Sequence, residues 1–200
     1  GQLELPILTA TEGSDSVALG NFLSQTGLTT YDGGFVNTAA TKSAITYIDG
    51  DEGLLRYRGI PIDQLAGRST FIEVSYLLIH GELPTEVQLA DFAEKIQRHT
   101  LLHEDLKRFF DGFPRNAHPM PVVSSAANAL SAYYPDSLDP KDPEQVELST
   151  IRLLAKLPTI AAYAYQKSVG QPFLYPDHSP GRVENFLRLT FRFPAEPSAV

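Results

Sequence analysis

Two pairs of side chains have the types and the spacing to do chemistry. Arg152 and Lys156 stand four residues apart, so on a helix they project from one face. Two cations so placed can grip a phosphate or a carboxylate. They can equally form a solvated basic stripe paired with Glu144 and Glu147, which precede them at helical spacings. Arg98 and His99 are adjacent, and His103 follows four residues after His99. On one helix the two histidines would share a face and could hold a metal, but no third ligand is spaced to complete the site. Two hydrogen-bonded histidines near a helix end, or Arg98 and His99 beside a phosphate, account for the same residues.

Other candidates are weaker. The sequence has no G-x-S-x-G, G-x-x-x-x-G-K-[ST], G-x-G-x-x-G or H-E-x-x-H. Asp49-Gly50-Asp51 opens like a calcium loop. Position 12 of such a loop falls on Ile60, where a bidentate glutamate is required, so the segment reads as a hairpin turn. Tyr133, Tyr134, Tyr163, Tyr165 and Tyr175 read as core or interface aromatics. His118 beside Pro119 and His178 near Pro180 stand in turn-like contexts.

The elements that position these residues are mostly helical. The first 30 residues are turn-rich, with helix-like signals around Ser16 to Leu23. Ala44 to Ile48 and Leu54 to Tyr57 are β-prone and flank a loop with two glycines, which predicts a hairpin. From Ile60 the period becomes helical. Ser69 or Thr70 should cap a helix ended by Gly81, and Pro84-Thr85 should open another with Val87, Leu89, Phe92 and Ile96 inward. A short helix spans Glu104 to Phe110, and an alanine- and serine-rich segment covers Met120 to Tyr133. Asp142 and Pro143 start a helix reaching Lys167, which Pro158 should kink. Val183 to Phe191 forms a last helix before Pro194 and Pro197. The fold class is mainly α: residues 1–59 form an N-terminal segment with a β-hairpin, and residues 60–200 a helical region.

Composition bounds the function. The chain has 200 residues, is 42% hydrophobic and carries a net charge of −8. That is globular and too acidic for a general nucleic-acid binder. It has no cysteine, so disulfides, cysteine–zinc sites and thiol catalysis are excluded. No apolar run approaches the roughly 20 residues of a membrane helix, and Gly1 to Pro6 resembles no secretory leader. A cytoplasmic location is the expectation.

Long ordered strings carry a family resemblance. They run from Ile45-Thr46-Tyr47-Ile48-Asp49-Gly50-Asp51 through Arg58-Gly59-Ile60-Pro61 to Ala66, and continue with Arg98-His99-Thr100, His103-Glu104 and Asn116-Ala117-His118-Pro119-Met120. Asp136-Ser137-Leu138-Asp139, the run Arg152 to Thr159, and the run Gly170 to Pro176 complete them. The chain resembles the N-terminal half of citrate synthase, in its bacterial branch. The resemblance implies part of that family's large helical domain. It also implies, for a complete enzyme, condensation of oxaloacetate with acetyl-CoA to citrate and CoA by acid–base catalysis with electrostatic clamping.

It further implies that the catalytic histidines and aspartate stand beyond Val200. None of the five histidines here matches their motifs, so no catalytic residue and no metal ligand is assigned, and the isolated chain is expected to be inactive. Members inhibited by NADH bind it at residues matching Arg98, His99, Thr100, Tyr134, Arg152 and Lys156. Structural ion pairing or subunit contact is the other reading of those residues. A cysteine of that branch is replaced by Ala195. A homo-oligomer, dimer or hexamer, is implied. A methylcitrate synthase acting on propionyl-CoA, or a non-catalytic helical module that oligomerises or binds a nucleotide, are the alternatives.

Overall fold

A computed structural model describes residues 2–177 and 181–192. The chain forms two compact units, Gly1–Thr85 and Glu86–Val200. The boundary read at residue 60, where strand patterns give way to helical ones, lies inside the first unit.

In the first unit, β1 (Ile7–Leu8) pairs antiparallel with β2 (Ser16–Val17), and α1 spans Phe22–Thr26. The helical signal around Ser16 therefore resolves into a strand and a later, shorter helix. Gly20 separates them, and glycine disfavours helix by about 1 kcal/mol. The expected hairpin forms: β3 (Thr46–Asp49) pairs with β4 (Leu54–Tyr57) in the register Thr46↔Tyr57, Asp49↔Leu54. Asp49 Oδ1 accepts from the amides of Asp51 and Glu52 at 3.1 and 3.0 Å, which fixes the turn. A third strand, β5 (Ile60–Pro61), turns back on β4 through Arg58 and Gly59. Both are left-handed, at φ 50° and 83°, as a two-residue hairpin loop demands.

Arginine is strained there, and its side chain explains its presence. The guanidinium donates to the Leu78 carbonyl at 2.7 Å through Nη2. That carbonyl lies in the last turn of α3 (Phe71–His80), where no intrahelical donor remains. Between the sheet and α3 runs α2 (Ile62–Arg68). Thr70 and Glu73 form a capping box on α3, and Gly81 ends it at φ 92°, as expected. No side chain from residue 2 to residue 64 is buried; burial in this unit begins at Leu65.

The second unit is built from α4 (Glu86–Arg98), α5 (Glu104–Phe109), α6 (Pro119–Ala129), α7 (Pro143–Val169) and α8 (Arg182–Phe191). Leu89, Phe92 and Ile96 turn inward on α4, but Val87 is 80% exposed. Five residues before Phe92 is about 140° around a helix, on the opposite side. The core gathers Leu106, Phe110, Ala126, Ile160 and Tyr163. Phe173 stacks on Tyr163 at 4.3 Å, and Phe110 meets both rings edge-on. Ala126 on α6 and Ala155, Ala162 and Ala164 on α7 are buried as well, beside the larger Val122, Ile151, Ile160 and Tyr163. The expected Pro194 and Pro197 lie outside the described residues.

α7 starts as the sequence predicts, with Asp142 accepting from Glu144 N at 3.0 Å. It runs unbroken through Pro158. Proline removes the donor that would serve the carbonyl of Leu154. Arg182, the first residue of α8, donates its guanidinium to that carbonyl. Gln166, buried on α7, donates Nε2 to the carbonyls of Leu189 and Thr190 at 3.1 and 2.9 Å. Those carbonyls lie at the end of α8, where they have no helical partner. The start of α8 meets the middle of α7 and its end lies beside the last turns of α7, so α8 runs in the direction of α7.

Arg182→Met should lower the unfolding free energy by about 1–3 kcal/mol, for a carbonyl left unpaired. Pro158→Ala restores a backbone donor to Leu154, so the same Arg182→Met change should cost clearly less in that background. Equal costs in both backgrounds, read from urea denaturation, would show that the two residues are not coupled.

Candidate functional site

Some of the residues singled out by chemistry, Tyr134, Arg152 and Lys156 with the backbone of His99 and Thr100, meet on one face of α7. Just after α4 the chain passes through His99, Thr100 and Leu101, and the carbonyls of all three are claimed by α7. Lys156 Nζ donates to the His99 carbonyl at 2.7 Å and to that of Leu101. Thr159 Oγ1 donates to the Thr100 carbonyl at 3.1 Å. Lys156 is only 2% exposed, so its stem lies within the protein and its charge is answered by backbone oxygens. Burial, together with the nearby Arg152 charge, pushes the Lys156 ammonium down to about 8.

One turn earlier, Arg152 grips Asp136 in a two-pronged pair at 2.7 and 2.9 Å and donates to Ser137 Oγ at 2.8 Å. The Arg152 hydrogen bond holds the Asp136 carboxyl below the usual range. The Tyr134 ring lies under both cations, 4.4 Å from the guanidinium and 5.0 Å from the ammonium. Burial pushes the Tyr134 phenol upward. Gln145 Oε1 accepts from the amides of Leu138 and Asp139 at 3.1 and 3.0 Å, and Ser149 donates to the Ser137 carbonyl. The segment from Tyr134 to Asp139 is thus fastened along the first half of α7.

The structure brings Tyr134, Arg152, Lys156 and the backbone of His99 and Thr100 together. Arg98 points elsewhere: it is exposed and pairs with Glu94 one turn back on α4. The His99 ring meets the Lys95 carbonyl through Nδ1 at 2.7 Å, and the Thr100 hydroxyl donates to Gln97. Glu144 and Glu147 are not the partners of the α7 cations. Asp136 takes Arg152, backbone takes Lys156, and Glu147 approaches Lys95 at 3.9 Å. Glu147 precedes Arg152 by five residues, which places it off the shared stripe.

His99 and His103 do not share a helix, because α4 ends at Arg98 and His103 caps α5. His103 Nδ1 accepts from Asp105 N and its ring lies 4.9 Å from that of Tyr133. His118 likewise caps α6, accepting from Met120 N at 3.2 Å. His178 and Ala195 lie outside the described residues. Sequence reasoning missed Asp136, Ser137 and Thr159 as partners. Asp136 and Ser137 stand two and three residues after Tyr134, and Thr159 stands one turn after Lys156; each was legible as a neighbour of a chosen residue.

Comparison with known proteins bears on what this scaffold belongs to. A family profile described as "Citrate synthase, C-terminal domain" matches residues 34–200. The chain belongs to the citrate synthase family. It is 76% identical, over 98% of its length, to Citrate synthase 1 of Mycobacterium tuberculosis, and 53% identical to the citrate synthase of Corynebacterium glutamicum. It spans 46% and 45% of those two proteins. The crystal structure of citrate synthase from Pyrobaculum aerophilum superimposes with a TM-score of 0.71 at 35% identity, over 80% of this chain and 42% of that one. The mainly helical architecture with its small β-hairpin is therefore that of citrate synthases.

The Lys156 contacts set a pH dependence. The unfolded chain holds the Lys156 proton up to about 10.5 and the folded chain only to about 8. Between these values the unfolded state binds more protons, so raising the pH through this window favours the folded state. The chain should gain stability over its Lys156→Met variant as pH rises from about 8 to about 10.5. A stability gap that is flat or shrinking across that window, in thermal unfolding of the pair, would overturn the assignment.

Proposed function

We propose that the whole protein condenses oxaloacetate with acetyl-CoA to give citrate and CoA, with these 200 residues serving as scaffold to catalytic groups elsewhere in the polypeptide. The observation that carries this reading is the 76% identity over 98% of the chain to a citrate synthase. In this reading an aspartate takes a methyl proton from acetyl-CoA, one histidine stabilises the enol and a second assists at the oxaloacetate carbonyl. Arginines and a further histidine hold the dicarboxylate. No residue from Gly1 to Val200 is assigned any of these parts. The protein acts in the cytoplasm as a homo-oligomer, and the preference is for acetyl-CoA over propionyl-CoA.

A second reading concerns regulation, and one observation favours it. Two cations crowd the Tyr134 ring, and the exposed carboxylate of Asp136 occupies one of them, Arg152. A phosphate of NADH could take the place of Asp136 on Arg152, with His99 and Thr100 held against α7 beside Lys156 and Arg98 turning from Glu94 to complete the site. Lys156, already bonded to two carbonyls, then contributes charge from behind.

The whole protein should release CoA when given oxaloacetate and acetyl-CoA, and more slowly with propionyl-CoA. The 200-residue chain alone should release none. CoA release by the isolated chain that survives repurification would overturn the scaffold assignment, and a whole protein that prefers propionyl-CoA would make it a methylcitrate synthase. For the nucleotide, Asp136→Asn removes the competing carboxylate and should tighten NADH binding in calorimetry. Absence of binding at millimolar NADH in both forms would leave Arg152 and Asp136 as an ion pair alone.

A further inference from the structure

A second gathering of charge lies at the far end of α7, away from Arg152 along the helix. A cavity of about 300 Å3 opens there, lined by Asp111, Arg115, Lys167 and the turn at residues 170–173. Gly170 ends α7 in the left-handed region at φ 72°. The Arg115 guanidinium lies directly on it, so close that a Cβ at this position would sit 1.3 Å from Nη2. Glycine is favoured here for its backbone angle, and its missing side chain leaves the space that Arg115 fills. Lys167 is drawn to the same cavity by Asp111, with Nζ and Oδ1 3.2 Å apart. The floor is rigid, because Phe173 is stacked on the buried Tyr163. Among the described residues, Arg115 makes no hydrogen bond or ion pair, and Lys167 has Asp111 alone.

We propose that this cavity binds a small oxyanion, a carboxylate or a phosphate, with Arg115 as the two-pronged donor and Lys167 as the point charge. The charge balance favours an anion. Two cations face one carboxylate and the carbonyl end of α7, which counts for about half a negative charge. The sum stays positive. The guanidinium fork matches the spacing of two oxygens on either type of anion. A cavity of this size lies at the lower end of the range that holds small ligands. The competing account is that both cations only neutralise the helix end. The site shares no residue with the Tyr134 cluster, and its test reads binding rather than turnover. Its failure is therefore separate from that of the proposed activity.

The whole protein is titrated by calorimetry with inorganic phosphate and, separately, with malonate, at constant ionic strength set with chloride. Saturable binding is expected, weakened about tenfold or more by Arg115→Gln and by Lys167→Gln, the loss typical of one charge-assisted contact. Asp111→Asn should tighten it, a change in the opposite direction that loss of fold would not produce. A response to phosphate alone or to malonate alone that the Arg115 and Lys167 variants weaken supports the site and identifies the oxyanion it takes. Affinities unchanged in the Arg115 and Lys167 variants, or no saturable binding of either probe, would overturn the proposal and leave the cations as helix-end charges.

Discussion

An ammonium group held out of water has to be answered by oxygen, and in this chain the answer is backbone. Lys156 is 2% exposed and spends its protons on the carbonyls of His99 and Leu101. Thr159 takes the carbonyl between them. Three consecutive carbonyls that follow α4 would otherwise lack donors near a helix end, where unpaired carbonyls accumulate. The same contacts fix where α4 stops, how the chain turns toward α5, and which face of α7 looks that way. Arg152 extends the arrangement by one turn, so that the Tyr134–Asp139 segment is fastened to the same helix face.

α7 is consequently less a helix with neighbours than a rod to which other segments are attached by their backbones. Arg182 serves the carbonyl that Pro158 leaves bare, and Gln166 serves the end of α8. In each case a long polar side chain on one element meets carbonyls that helix geometry cannot satisfy on another. Such contacts specify direction and register in a way that alanine-on-alanine packing does not. A misaligned helix would strand polar groups at a cost of about 1–3 kcal/mol apiece.

Local chemistry in the sequence was readable and distant pairing was not. The caps at Thr70, Gly81 and Asp142 and the β3–β4 turn follow from single residues acting on their own neighbours. So does the course of α7. Val87 misleads because an apolar residue is no guarantee of an inward one. β5 was missed because two residues are too few to show a period. At the candidate site, the cations were visible from spacing, but their partners were not. Asp136 lies outside the helix that carries Arg152, and the oxygens that hold Lys156 belong to the main chain, which leaves no mark in residue identity. That is why glutamates at helical spacing looked like the obvious partners.

The absence of any buried side chain from residue 2 to residue 64 has a consequence for how the protein is made. Translation runs from this side toward the helices, at about 5–20 residues per second. Residues 2–64 leave the ribosome before Leu65, the first buried one among the described residues. During those seconds Tyr31, Phe35 and Val36, each more than two-thirds exposed even in the folded chain, are presented to solvent with nothing to pack against. The nascent chain is therefore a natural client for holding chaperones early in translation, and its hold on them should loosen only once α3 has emerged.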